Sequence, residues 1–263
     1  MKKATKIALI IACIFVLSGV LVSFSALVMV GFDLSKLNSY NLETNEYTVE
    51  EEFSNIDLKL LDADIELVPA TDGVCRVVCV DDEKVEYLVS VIDGTLTVTY
   101  KDTRAWYDHI GISWGGRSVT IYLPQMQYDN VRLGTVNGDI SVSTPFSFEN
   151  LTVTTTNGDV ALKNLTVQSL NINLTNGDVS LSKTLCEGRA YIKTVNGDVG
   201  IAKSDAATVE IKTTNGDVKA SFLTSKTFVV STVNGDVSRP HGTSGGKCKV
   251  TTTNGDIRLS IIE

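Results

Sequence analysis

From Val131 onward the chain alternates. Apolar or β-branched residues take every second position, and polar residues such as Lys193, Glu210, Lys212 and Lys249 fall between them. A period of two marks a strand with one buried face. The alternation is punctuated by Asn-Gly-Asp, starting at Asn137, Asn157, Asn176, Asn196, Asn215, Asn234 and Asn254, in steps of 20, 19, 20, 19, 19 and 20. The third residues form a matching row: Asp139, Asp159, Asp178, Asp198, Asp217, Asp236 and Asp256, each followed by Val or Ile. Six residues before each Asn stand Val131, Leu151, Leu170, Ala190, Val209, Phe228 and Cys248. Five after stand Val142, Leu162, Leu181, Ile201, Ala220, Arg239 and Leu259, so only the sixth unit breaks the apolar register. Each unit therefore predicts a strand, a tight turn, a strand and a looser turn, and no helix signal follows residue 32.

Two degenerate copies precede the regular ones. Ile56, Leu58, Leu60, Asp62-Ala63-Asp64, Ile65 and Leu67 keep the offsets, as do Tyr87, Val89, Val91, Asp93-Gly94, Leu96 and Val98. The regular units fill 131–263, the degenerate ones 53–130, and 33–52 reads as a polar stalk. Asn-Gly is also a strong hairpin signal, so a meander of hairpins competes with a solenoid. The solenoid explains more. Stacked coils place equivalent side chains about 4.8 Å apart, which favours the same residue at every level; seven levels would stand about 34 Å tall. The expected fold is all-β, a β-helix-like solenoid of ~20-residue coils.

The first 32 residues follow a different pattern. Lys2, Lys3 and Lys6 precede an uncharged stretch over residues 7–32, closed by Asp33. As a helix it would reach about 39 Å, enough to cross a bilayer with tilt. The flanking lysines predict a single pass with a cytoplasmic N-terminus and an extracytoplasmic body. A cleaved signal ending near Ser23-Phe24-Ser25, or a lipoprotein signal at Cys13, would export the body equally. After position 32 there are 31 acidic and 20 basic residues. A body of that charge does not attract nucleic acid, and suits divalent cations or basic partners.

Candidate chemistry is sparse. The Asp row is read chiefly as turn capping, with calcium the alternative, because Ca²⁺ takes several oxygen ligands. The Asn row is read as structural, each amide donating to one neighbour and accepting from the other. The insertion over residues 101–117 collects Arg104, Trp106, Tyr107, His109, Trp114 and Arg117. Such a cluster suits sugar stacking or a protein contact, and equally suits aromatic rings folded back over the end of the stack. Cys75 and Cys79 lie four apart on a predicted strand, Cys186 in a looser turn and Cys248 on a core offset, and no spacing dictates a disulfide. Motifs of hydrolases, zinc proteases and nucleotide-binding enzymes are missing, which leaves a polysaccharide-active solenoid as the remaining enzyme alternative.

Val119-Thr120-Ile121-Tyr122-Leu123-Pro124, then Tyr128 and Val131, lead into Asn137-Gly138-Asp139-Ile140. This entry and the repeated Asn-Gly-Asp-Val/Ile unit resemble the bacterial putative-adhesin β-strand-repeat family, over roughly residues 50 to 263. The resemblance implies a solenoid on the outer face of the membrane. It supplies no catalytic residues and no cofactor. The expected role is a non-catalytic adhesin, envelope scaffold or stress component, with a cell-wall glycan or envelope protein as partner. A calcium- or glycan-binding surface module is the alternative.

Overall fold

The computed structural model describes residues 3–29, 31–32, 42–82, 84–105, 116–143, 145–241 and 244–262. They fall into two units: residues 1–41 with 104–115, and residues 42–103 with 116–263.

The first unit contains one helix, α1 (Lys3–Met29). Its stretch Thr5–Met29 has a mean hydropathy of 2.9 and no buried portion. Ile, Leu, Val and Phe point outward on all sides rather than along one stripe. A helix apolar all round has the composition of a membrane span or of a signal sequence.

The second unit is a stack of coils, each made of two strands meeting at a corner. The central coils are β8 (Gln127–Gly134) with β9 (Ile140–Val142), β10 (Phe146–Asn157) with β11 (Val160–Lys163), and β12 (Leu165–Asn176) with β13 (Val179–Ser182). Next come β14 (Leu185–Lys193) with the start of β15 (Val199–Lys212), and the end of β15 with β16 (Val218–Phe222). Neighbouring coils pair in parallel: Leu151 faces Leu170, Val153 faces Ile172 and Val160 faces Val179. The meander is thereby excluded. Like residues stack on like, so the apolar offsets form rows through the core, from Val131 and Leu151 to Ile257. The looser corners turn through Asn164, Lys183 and Lys203, all with positive φ near 50°.

At both ends the stacking order departs from chain order. β2 (Asn55–Lys59) and β3 (Asp64–Pro69) lie between β8–β9 on one side and β6 (Thr95–Asp102) with β7 (Ser118–Leu123) on the other. At the opposite end β19 (Gly246–Thr251) and β20 (Ile257–Ile261) insert between the β15–β16 coil and β17 (Lys226–Ser231) with β18 (Val237–Ser238). The sixth unit, not the seventh, is thus outermost. This accounts for Arg239 in an apolar slot: no further coil covers it, and β18 stops at Ser238.

Two expectations need correction. Residues 87–98 do not form a coil. They form an antiparallel hairpin of β5 (Val85–Ile92) and β6, joined by Asp93-Gly94. Both turn residues have positive φ, 49° and 68°, the backbone of a primed hairpin turn. The stalk also ends sooner than 52, because β1 (Leu42–Val49) pairs antiparallel with β4 (Cys75–Asp82), which pairs antiparallel with β7. β1 reads as polar because only one of its faces meets the body, where Tyr47 and Val49 pack on the core.

Candidate functional site

The recurring corner is the most elaborated feature of the molecule. Along it the Asn amides form one chain of hydrogen bonds. Asn157 Nδ2 donates to Asn137 Oδ1 at 2.6 Å, Asn176 to Asn157 at 2.8 Å, Asn196 to Asn176 at 2.8 Å and Asn215 to Asn196 at 2.7 Å. The row continues in stacking order: Asn254 donates to Asn215 and Asn234 to Asn254, both at 2.7 Å. At its start Asn137 donates to Asp62, the degenerate unit's substitute for Asn.

The Asp row works through the backbone. The N–H of Asp159 donates to Asp139 Oδ1 at 2.8 Å, and the bond recurs from Asp139 onto Asp64, Asp178 onto Asp159, Asp198 onto Asp178 and Asp217 onto Asp198. It ends with Asp256 onto Asp217 and Asp236 onto Asp256. Each such carboxylate caps the amide of the next coil. Most of the row is exposed, so water screens the repulsion between neighbours. Among the described residues, no three of His, Cys, Asp and Glu gather into a metal-holding group.

Thr and Gly complete the corner. Thr155, Thr194, Thr213, Thr252 and Thr232 donate their hydroxyls to the glycine carbonyl of the neighbouring coil at 3.0–3.3 Å. Leu174 takes the threonine place in one coil, and the series skips it. Glycine is required because the coils touch: a Cβ at Gly177 would lie 2.0 Å from Gly158 O, and one at Gly216 1.9 Å from Gly197 O. Ala63 holds the glycine place in the first corner.

The aromatic insertion divides differently. Trp106, Tyr107, His109 and Trp114 lie outside the described residues. Arg104 is half-buried. Arg117 is not an exposed ligand contact: its guanidinium is buried against Asp82, with Nε 3.0 Å from Oδ2 and Nη2 on the same oxygen. Asp82 also accepts the N–H groups of Lys84 and Val85, and Asp81 accepts Asn45 Nδ2 at 2.8 Å. Two adjacent acids in an otherwise apolar strand were the available signal. Asp82's partner Arg117, 35 residues away, is not visible in the sequence.

A groove of about 970 Å³ opens beside the end cap. It is lined by Val49, Phe53, Val74, Met126 and Tyr128 together with Glu50, Glu51 and Glu52. Cys75 also lines it, its thiol pushed up to about 11 by burial. Burial likewise lifts Cys79 and Cys248 to about 12 and raises Cys186. All five cysteines are free, and the four in the body are buried. Such thiols are inert packing groups rather than nucleophiles.

The class of protein is therefore a β-solenoid of stacked parallel coils whose polar corner side chains are engaged with one another. More particularly, the chain belongs to the Toastrack DUF4097 family, whose model matches residues 53–237 and 186–263. A solved structure from Bacteroides fragilis, described as a putative adhesin, aligns with a TM-score of 0.54 and 20% identity, covering 85% of this chain and 98% of that one. Another putative adhesin, from Parabacteroides distasonis, aligns at 0.48 with 12% identity, covering 86% and 98%. The Bacteroides fragilis likeness establishes the fold alone. No curated protein matches the chain.

Proposed function

We propose that the protein is a membrane-anchored, extracytoplasmic, non-catalytic surface module that contacts an envelope glycan or protein. The observation that carries this reading is α1. Its 25-residue apolar stretch is long enough to cross a bilayer and is apolar on every side. Lys2, Lys3 and Lys6 favour a cytoplasmic N-terminus, and the acidic majority that follows lies on the other side. The corner supports a structural rather than catalytic role, since its Asn, Asp and Thr side chains are hydrogen-bonded from coil to coil. The adhesin description of the Bacteroides fragilis neighbour is consistent with this reading.

Fractionation with protease protection tests it. The full chain is expected in the membrane fraction, with the repeat body digested from outside intact cells and α1 retained. N-terminal sequencing of the membrane form separates a retained anchor from a cleaved signal. Recovery of the whole chain from the cytosol would refute the reading. Partner contact is tested by retention on purified cell walls, with Trp106→Ala and Trp114→Ala expected to weaken it.

A further inference from the structure

After position 32 the chain carries 20 basic and 31 acidic residues, yet one patch of its surface reverses that balance. It lies on the outer face of three adjoining strands, β14, β15 and β19. Ala190, Ile192, Val209, Ile211, Cys248 and Val250 turn into the core, so the residues between them face out. Over these paired segments the outward residues include Arg189, Lys193, Lys212, Lys247 and Lys249, against the single acid Glu210. Lys193 and Lys212 sit directly opposite each other on neighbouring coils, a like-charge pairing that costs stability. Protection of a sheet edge does not explain the cations, because all three strands are paired on both sides.

The one acid is already engaged. Glu210 Oε2 accepts from Arg189 Nη2 at 2.6 Å, and Oε1 accepts from Lys212 Nζ at 2.9 Å. Both cations also lie against Tyr191, 5.1 and 5.4 Å from its ring centroid. They are thus held in place while their side chains stay 57% and 43% exposed. Lys193, Lys247 and Lys249 are exposed and pair with no carboxylate among the described residues. An open depression of about 390 Å³ adjoins the cluster, lined by Ser169, Asn171, Asn173, Arg189 and Tyr191. Asn173 Nδ2 donates to Asn171 Oδ1 at 3.0 Å, which leaves Asn173 Oδ1 as an acceptor and Asn171 Nδ2 as a donor for a ligand.

We propose that this face binds an acidic polysaccharide, a chain of carboxylate-bearing sugars laid across the coils. The inference deepens the surface-module reading and rests on it only for placing that polymer in the envelope. The unpaired cations complement carboxylates, and the neutral donors and acceptors of the depression suit sugar hydroxyls. Coils repeat about every 4.8 Å, close to the advance of one sugar along an extended polysaccharide, so carboxylates on successive sugars meet successive coils. Nucleic acid fits less well. Bases stack on open aromatic rings, whereas Tyr191 is already flanked by two cations, and the acidic body repels a dense row of phosphates.

The test titrates the full-length chain, purified in nonionic detergent, with polygalacturonate, with its neutral methyl ester and with duplex DNA. Polygalacturonate should bind, and should weaken about tenfold between about 50 and about 200 mM salt. The ester and the DNA should bind at least about tenfold more weakly than polygalacturonate. Lys193→Gln combined with Lys249→Gln should weaken polygalacturonate about tenfold without lowering the melting temperature, since neither side chain has an ion-pair partner to lose. Lys163→Gln combined with Lys219→Gln removes the same charge from β11 and β16 and should bind like the parent. Absence of polygalacturonate binding, equal binding of the ester or of DNA, or an equal loss in the second double variant overturns the proposal. Because the titration uses purified protein, its failure leaves the membrane location standing, and recovery of the chain from the cytosol leaves the titration standing.

Discussion

The two ends of the solenoid meet the same problem in different ways. At the N-terminal end, β5 lies antiparallel on β6, and β4 and β1 lie antiparallel outside β7, so the parallel stack is terminated by strands of another pattern. At the C-terminal end the stack stays parallel to its last level and simply thins out. β18 is two residues long, Val233 is 74% exposed and Val237 45% exposed. Short edge strands and the Arg239-Pro240 pair discourage further pairing there. Each end also contains one buried cation on a carboxylate, Arg117 on Asp82 and Lys226 on Asp205. The cations differ in shape: a guanidinium offers a planar fork of donors, an ammonium a compact point charge. The first end is closed by antiparallel strands, while the second ends on a short parallel strand.

The sharpest way to break this comparison is at the corners. Gly177→Ala places a methyl carbon against the backbone of the next coil in mid-stack, where neither coil can move without breaking its ladder. The expected loss is on the order of 4 kcal/mol or more, read from urea unfolding. Ala63→Gly at the first corner should cost only about 1 kcal/mol, the loss of one buried methyl with added backbone freedom. Equal effects at the two sites would mean that coil contact is not what selects glycine.

Arg117→Ala tests the closed end. It leaves Asp82 buried among apolar strands without its cation, at a cost of about 3 kcal/mol. The loss should appear first as faster hydrogen exchange in β1, β4 and β7, with the central coils protected. Uniform loss along the stack would show that the cap and the coils unfold as one body.

The sequence revealed the coils better than the ends, for physical reasons. Stacking forces like residues into rows, so Asn157, Asp159 and their counterparts announced both the level and the register. The same uniformity hides the order of levels. Cys248 and Val250 fit against Val209 and Ile211 as well as against Phe228 and Val230, and they touch both pairs. Asp93-Gly94 resembles a coil corner in sequence because hairpins and coil corners both favour Asx-Gly. The difference lies in φ: Asp93 is left-handed at 49°, whereas the Asn residues of the regular corners are not. Arg117 reads as a ligand contact in the sequence because its carboxylate partner is distant along the chain.

The smallest effect separates the middle of the ladder from its end. Asn196 donates to Asn176 and accepts from Asn215, both across exposed corners. Asn234 donates to Asn254 and has no coil beyond it to serve. Exposed amide hydrogen bonds are exchanged for bonds to water on unfolding, so each is worth little net stability. Asn196→Ala should therefore cost about 1 kcal/mol and Asn234→Ala about half of that. Thermal melts of the two variants, compared with the parent, measure the ratio. A ratio near one would mean that the amides act singly, through their own corner backbone. A ratio well above two would mean that the row polarises along its length, so that cutting it in the middle weakens bonds on both sides.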